Sequence, residues 1–232
     1  AIVADVINGR GIKAEFHFEI NDFDPMDGVP SYLDEAEYKK YMGVPLCNIP
    51  SPEAGYDNFA EVYGQEYTQA LETIGFKAIV YRASELYRSG VMNDMIAKAL
   101  DRRDLVREIY YRISKSEKNE DWYPLNVVCE NCGNLSATKI TDWDGETVGY
   151  TCSSDTIEWA EGCGHEGRMS PMNGNAKFPW KLDWAAKFVA KGVHFEGGGK
   201  DHYTKGGARQ VAEAIAREVF DHEPPYGVFN EF

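Results

Sequence analysis

Hydrophobic and polar residues alternate along this chain in two rhythms, and the clearest change of rhythm falls between Trp180 and Phe220. Asp183, Trp184, Phe188 and Val189 share one face at helical spacing, and Gly192 stands where such a helix would stop. Val193 and Phe195 then alternate with their neighbours as a short strand running into Gly197, Gly198 and Gly199, read here as a sharp turn. Lys200, Asp201 and His202 follow, and Gly206 and Gly207 lead into a helical run over residues 208–220. A strand end, glycines and a helix start form the place where open α/β sheets bind nucleotides. A plain glycine loop between strand and helix gives the same local pattern.

Upstream, residues 1–8 read as the tail of a helix closed by Gly9 and Gly11. Ile12, Ala14, Phe16, Phe18 and Ile20 alternate as a strand that delivers Asn21, Asp22, Phe23 and Asp24 to its end before Pro25 breaks the run. Those acidic residues suit an amine or a ribose, and equally suit a turn. Residues 60–74 place Tyr63, Tyr67, Leu71 and Ile74 on one helical face, and Gly75 ends the run. Residues 76–81 form the next strand, residues 83–87 a helix start, and residues 92–114 one long helix. That helix carries Arg102, Arg103, Arg107 and Arg112 among acids, as a solvated face with i,i+4 pairs or as an RNA contact.

Composition narrows the picture. The 232 residues suffice for one or two domains with a sizeable core, and 43% hydrophobic residues describe an ordinary globular protein. No apolar run nears the ~20 residues a membrane span needs. A net charge of −14 argues against general, sequence-blind nucleic-acid binding, although a basic face can sit on an acidic protein. Five cysteines, four of them clustered, fit metal binding in a reducing, cytoplasmic setting better than a disulfide framework. The fifth, Cys47, has no neighbouring base or second cysteine in sequence and reads as an unreactive thiol.

The cysteine cluster lies in residues 122–168. Cys129 and Cys132 form a C-x-x-C knuckle, residues 138–141 read as a strand, Asp144–Gly145 as a hairpin turn, and residues 146–150 lead back to Cys152. Two soft-ligand pairs on a hairpin are the layout of a zinc ribbon. Ten residues separate Cys152 from Cys163, a loose second pair, so His165 is an alternative ligand to one of the cysteines. Protein groups can fill all four positions, so the metal is read as structural. A segment with so little apolar core would draw much of its folding free energy from the metal.

The residues DWAAKF (Asp183 to Phe188), GKDH (Gly199 to His202), the Gly206–Gly207 pair and Ala214 to Phe220 together resemble class I lysyl-tRNA synthetase. That family carries D-W-P-A-R-W, G-K-D-H, a glycine pair and E-I-A-R-E-V/I-F. Ala185, Lys187 and Phe188 depart from it by replacing proline, arginine and tryptophan. The likeness continues in Asp22 and Asp24 followed by Val29–Pro30, in YMGVPLCNIPSP, in ASELY and in EPPYGVFNEF. It implies an α/β fold with a Rossmann-type (HUP) parallel sheet interrupted by the zinc ribbon. Residues 1–121 and 169–232 would be the two parts of the catalytic core, with residues 122–168 as the insertion.

The resemblance also implies ATP with magnesium, L-lysine and the lysine tRNA as substrates and partners, with zinc held by Cys129, Cys132, Cys152 and Cys163, and no membrane. Trp184, His202 and Asp22 would border the lysine; Gly199, Asp201 and Lys200 would lie at ATP, Lys200 either touching phosphate or pointing outward. Without the resemblance His202 would read as a structural histidine. The family's HIGH and KMSKS segments are not found in these residues, so no catalytic residue is assigned. The chain is expected to be the central part of a longer synthetase with negligible ligase activity alone. A non-catalytic paralogue that binds an adenylate-like ligand or a partner, and a glutamyl-type class I relative, are the competing readings.

Overall fold

A computed structural model describes residues 1–231. The first unit is β1 (His17–Ile20), α3 (Phe59–Thr73) and β2 (Ile79–Arg82), with β2 parallel to β1 in the register His17 opposite Ile79. α1 (Ile2–Asn8) precedes it and buries no residue, and the short α2 (Glu35–Tyr38) lies within the long connection after β1. Asn58 caps α3 by accepting the amides of Ala60 and Glu61, and Gly75, at φ 88°, turns the chain out of the helix. Gly64 lets α3 approach β1, for a Cβ there would stand 2.8 Å from Ile20 Cδ1. Phe18 stacks on Tyr67 at 4.7 Å. The alternation expected over residues 12–20 is strand only from His17 onward; of the earlier residues, Phe16 still accepts the Ile79 amide of β2 at 2.8 Å.

Next come α4 (Ala83–Arg88), α5 (Asn93–Asp101) and α6 (Arg103–Ser114). The single helix expected over residues 92–114 is thus broken, at Arg102 (φ −103°, ψ 23°). Tertiary ties hold the break: Arg102 donates to the carbonyl of Val219 (2.8 Å), and Asp101 accepts the indole N–H of Trp143 (2.8 Å).

β3 (Asn126–Val127) pairs antiparallel with β7 (Ala176–Lys177), closing off a three-stranded antiparallel sheet of β4 (Thr138–Trp143), β5 (Val148–Cys152) and β6 (Glu166–Met169). Gly145, at φ 99°, makes the expected hairpin turn; β6 carried no clear signal in sequence. This segment has no separate core. Ile140, Val148 and Tyr150 belong to the same buried cluster as Ile96 and Ile109 of α5 and α6 and Leu182 and Phe188 further on. Folding free energy therefore comes from shared packing as well as from any metal.

The last unit is α7 (Trp180–Lys191), β8 (Phe195–Gly199), α8 (Ala208–Glu218) and β9 (Tyr226–Asn230), with α8 packed on α6 and α7. Gly192 ends α7 in the left-handed region at φ 56°. Gly197, Gly198 and Gly199 are strand, parallel to β9, and the turn comes afterwards in a 3₁₀ segment, Lys200–Tyr203. A turn had been expected at these three glycines; as strand they leave room for the segment that follows, since a Cβ on Gly198 would lie 3.0 Å from the Tyr203 ring and one on Gly199 2.6 Å from Asp201. Among the described residues, β1–β2 and β8–β9 are separate two-stranded parallel pairs, so each of these strands has one edge without a strand partner.

Candidate functional site

β8 ends at Gly199, and the 3₁₀ turn after it lays His202 against α7. The His202 ring meets Trp184 edge-on at 5.7 Å and Trp180 at 5.6 Å, while the two indoles stack at 5.6 Å with 21° between their planes. Trp180 and Trp184 are one turn apart on α7, which is why they share a face. Two expected residues, Trp184 and His202, thus come together, and Trp180 completes an aromatic wall that the sequence reading had not included. Its signal was present as a second tryptophan four positions before the first.

The wall is held from behind. Trp184 Nε1–H donates to both oxygens of Glu196 on β8, at 2.9 and 3.0 Å. Burial pushes the Glu196 carboxyl above its ordinary value, against the opposing pull of Trp184 and of Arg209. Arg209, 1% exposed, pairs with Glu196, donates to Glu213 (2.8 Å) and to the carbonyl of Pro225 (2.6 Å), and lies over the rings of Phe188, Tyr203 and Trp184. A buried guanidinium satisfied by two carboxylates and three aromatic faces fixes this corner.

On its other side α7 carries a buried charge network. Lys177 Nζ, 2% exposed, stands 2.7 Å from Asp24 and 3.1 Å from Asp183. Lys187 Nζ lies 2.6 Å from Asp183 and also pairs with Glu19 of β1. Tyr87 donates its hydroxyl to Asp183 at 2.6 Å. Burial works against the Asp183 charge, yet Lys177 and Lys187 hold its carboxyl at about 2.

The remaining expected residues occupy different surroundings. Asp22 is buried, and its carboxylate accepts the amide (2.8 Å) and hydroxyl (2.5 Å) of Ser84, capping the first turn of α4. Lys200 is exposed and pairs with Glu231. Asp201 is exposed beside Gly199, where a Cβ would lie 2.6 Å from its Oδ1. Cys47 is partly buried, and burial pushes its thiol up to about 11. A cavity of about 240 Å³ opens beside the free edge of β1, lined chiefly by Phe18, Ile20, Phe59, Tyr63 and Tyr67.

The four clustered cysteines converge. The sulfurs of Cys129, Cys132, Cys152 and Cys163 all lie within 4.8 Å of one another. Cys129–Cys163 and Cys132–Cys152 are each separated by 3.7 Å, against about 3.8 Å for sulfurs around a tetrahedral ion with ~2.3 Å bonds. Gly133 and Gly164 both sit at positive φ, each turning its knuckle sharply enough to aim a thiol inward. The ten-residue loop between Cys152 and Cys163 is folded out of the way: Gly162 packs so closely on Ser153 that a Cβ would lie 2.5 Å from its backbone. His165 rests its ring on Tyr150 at 5.8 Å.

Among the described residues no helix is long and apolar enough to cross a membrane. A family model described as tRNA synthetases class I (K) matches residues 1–232. The chain is similar to a lysine–tRNA ligase of Archaeoglobus fulgidus, 37% identical over 231 residues, covering 98% of this chain and 45% of that protein. It is likewise similar to lysine–tRNA ligases of Methanosarcina barkeri (36% identical, 97% of this chain, 40% of the relative) and Methanocaldococcus jannaschii (36%, 100% and 42%). The chain therefore spans less than half the length of these relatives. With the match running from end to end, the chain belongs to the class I (K) tRNA synthetases.

Proposed function

We propose that this chain is the part of a lysine–tRNA ligase that holds the amino acid, within an enzyme that activates L-lysine with ATP and magnesium and transfers it to the lysine tRNA. The observation that carries the reading is the wall of Trp180, Trp184 and His202 at the end of the glycine strand, in a chain whose relatives bear that name. Aromatic faces attract an ammonium group, and a desolvated site strengthens that attraction. Glu196 and Arg209 keep Trp184 from turning, so the wall is built before the ligand arrives.

In amino-acid activation a carboxylate attacks the α-phosphate of ATP and pyrophosphate leaves; the magnesium ion supplies charge neutralisation at the phosphates when bound. The backbone of Gly197, where a Cβ would meet nothing nearer than 3.9 Å, allows close approach there, and exposed Asp201, lying against Gly199, suits ribose hydroxyls. Asp22, already committed to Ser84, supports the site as a cap for α4 in this reading, and Lys200 belongs to the rim. The two parallel pairs, each a strand–helix–strand unit, are taken as the halves of one Rossmann-type sheet. The four thiolates are taken as a structural zinc site in which His165 has no part.

The test is a thermal-shift titration with non-hydrolysable lysyl and glutamyl adenylate analogues. The lysyl analogue alone should raise the melting temperature, and Trp184→Ala should abolish the rise. A rise with the glutamyl analogue, or none with either, rejects the lysine site.

A further inference from the structure

The four arginines on and beside α6 are all neutralised: Arg102 by Asp221, Arg103 and Arg107 by Asp104, and Arg112 by Glu108 and Glu218. Four lysines around the C-terminal half of the same helix are not. Lys118 Nζ stands 5.3 Å from the Trp122 ring and 5.5 Å from Tyr110, and Lys181 of α7 stands 5.7 Å from Tyr110. Lys115 lies 5.3 Å from Tyr111, whose ring is about half exposed at 52%. Lys205 joins them because the next residue, Gly206, packs on the carbonyl of Ile113, which a Cβ would meet at 3.1 Å. Among the described residues no carboxylate lies within 4.0 Å of these four ammonium groups. The exposed acids of the adjoining loop, Glu117, Glu120 and Asp121, are fewer than these four lysines, and Asp121 is already paired with Lys139.

On a chain of net charge −14, a group of uncompensated cations interleaved with aromatic rings stands out from the surrounding field. Its position gives it direction. Lys181 follows Trp180, and Lys205 lies three residues beyond His202, so the patch runs up to the rim of the aromatic wall. We propose that this surface guides a single-stranded RNA end to that wall, its phosphates on Lys115, Lys118, Lys181 and Lys205 and a base stacked on Tyr111. The assignment rests on the ligase reading above, in which an RNA terminus must reach the activated amino acid. Lysines track a phosphate backbone and an exposed aromatic face takes a base of any sequence. An acidic peptide would engage the lysines and leave Tyr111 unused.

The experiment is fluorescence anisotropy of a labelled ten-nucleotide single-stranded RNA with the 232-residue chain, titrated in potassium chloride between about 25 and 200 mM. Four phosphate contacts give a log–log salt slope of about −2.8, at ~0.7 per contact for single strands. Lys118→Glu with Lys181→Glu should weaken binding at least tenfold and roughly halve the slope. Tyr111→Ala should weaken binding about fivefold or more with the slope unchanged. Lys118→Gln with Lys181→Gln, which adds no repulsion, repeats the slope change if the reversed pair fails to fold. Absence of RNA binding, equal binding by the lysine variants, or displacement of the RNA as readily by polyaspartate as by unlabelled RNA overturns the proposal. Retention of the lysyl-adenylate shift in the lysine variants separates the two readings. RNA binding lost with that shift intact confirms the surface, and RNA binding present without any analogue shift in the parent chain retires the amino-acid site alone.

Discussion

Asp183 shows how much one buried carboxylate decides here. It accepts the Tyr87 hydroxyl, pairs with two lysines and stands in the first turn of α7, next to the tryptophan of the candidate site. Its carboxyl is held at about 2, below the ordinary 3.8, so its contribution to stability is complete above about pH 4 and lost as the pH falls towards 2. Asp183→Asn should cost about 3–5 kcal/mol at neutral pH, since two lysines lose their buried counter-charge. It should also flatten the acid limb: melting temperatures of parent and variant should converge between pH 4 and 2. Parallel curves across that range would contradict the assignment. At this scale the sequence was only partly legible. Trp184 and His202 could be paired through a family pattern, but nothing in the spacing said that Lys177 is buried or that Arg209 lies under three rings. A lysine or arginine in sequence reads as surface, and only the tertiary arrangement of Asp24, Asp183 and Glu196 reverses that expectation.

Elements were read best where glycine or a capping residue marks them locally. Gly75, Gly145 and Gly192 all take positive φ at the expected ends and turns. The failures share a cause in contacts distant along the chain. The break between α5 and α6 depends on Val219 and Trp143, over forty residues away in each case. The glycines of β8 are strand because β9 pairs with them, a partner that local pattern cannot see. The knuckle that holds Cys129 and Cys132 also leans on a remote loop. Gly43, at φ 86°, accepts the amide of Leu135 at 2.7 Å and leaves no room for a Cβ, which would lie 2.5 Å from the Asn134 side chain. Gly43→Ala should therefore destabilise by about 1–3 kcal/mol from the clash, with further loss from the left-handed backbone. Metal content measured by elemental analysis should be near one zinc per chain in the parent. Cys152→Ser should lower it sharply, and a chelator should reduce the parent's melting temperature while leaving that of the serine variant nearly unmoved. A parent chain that purifies with no metal would remove the zinc site.

At the scale of the molecule, α7 is the strut between two parallel pairs. Lys187 reaches Glu19 on β1, and Trp184, three residues earlier on the same helix, reaches Glu196 on β8. The α/β fold with parallel strands was an implication of the family resemblance; that the strands stay in two pairs among the described residues did not follow from any pattern in the sequence. The free edges of β1 and β8 present backbone donors and acceptors without a strand partner, and such edges recruit strands from elsewhere. Sedimentation of the 232-residue chain from about 5 to 200 µM should show reversible self-association that a strand-forming peptide suppresses. A monomer throughout would mean that side chains shield both edges. The two edges differ in one further respect. His17 to Ile20 offer side chains alternating between α3 and α7, so a strand laid beside β1 that slipped by one residue would turn its apolar groups the wrong way. Gly197 to Gly199 offer no such ruler. A strand beside β8 can slide along three indistinguishable residues at little cost, so the accuracy with which it is placed must be imposed by something other than side chains of β8.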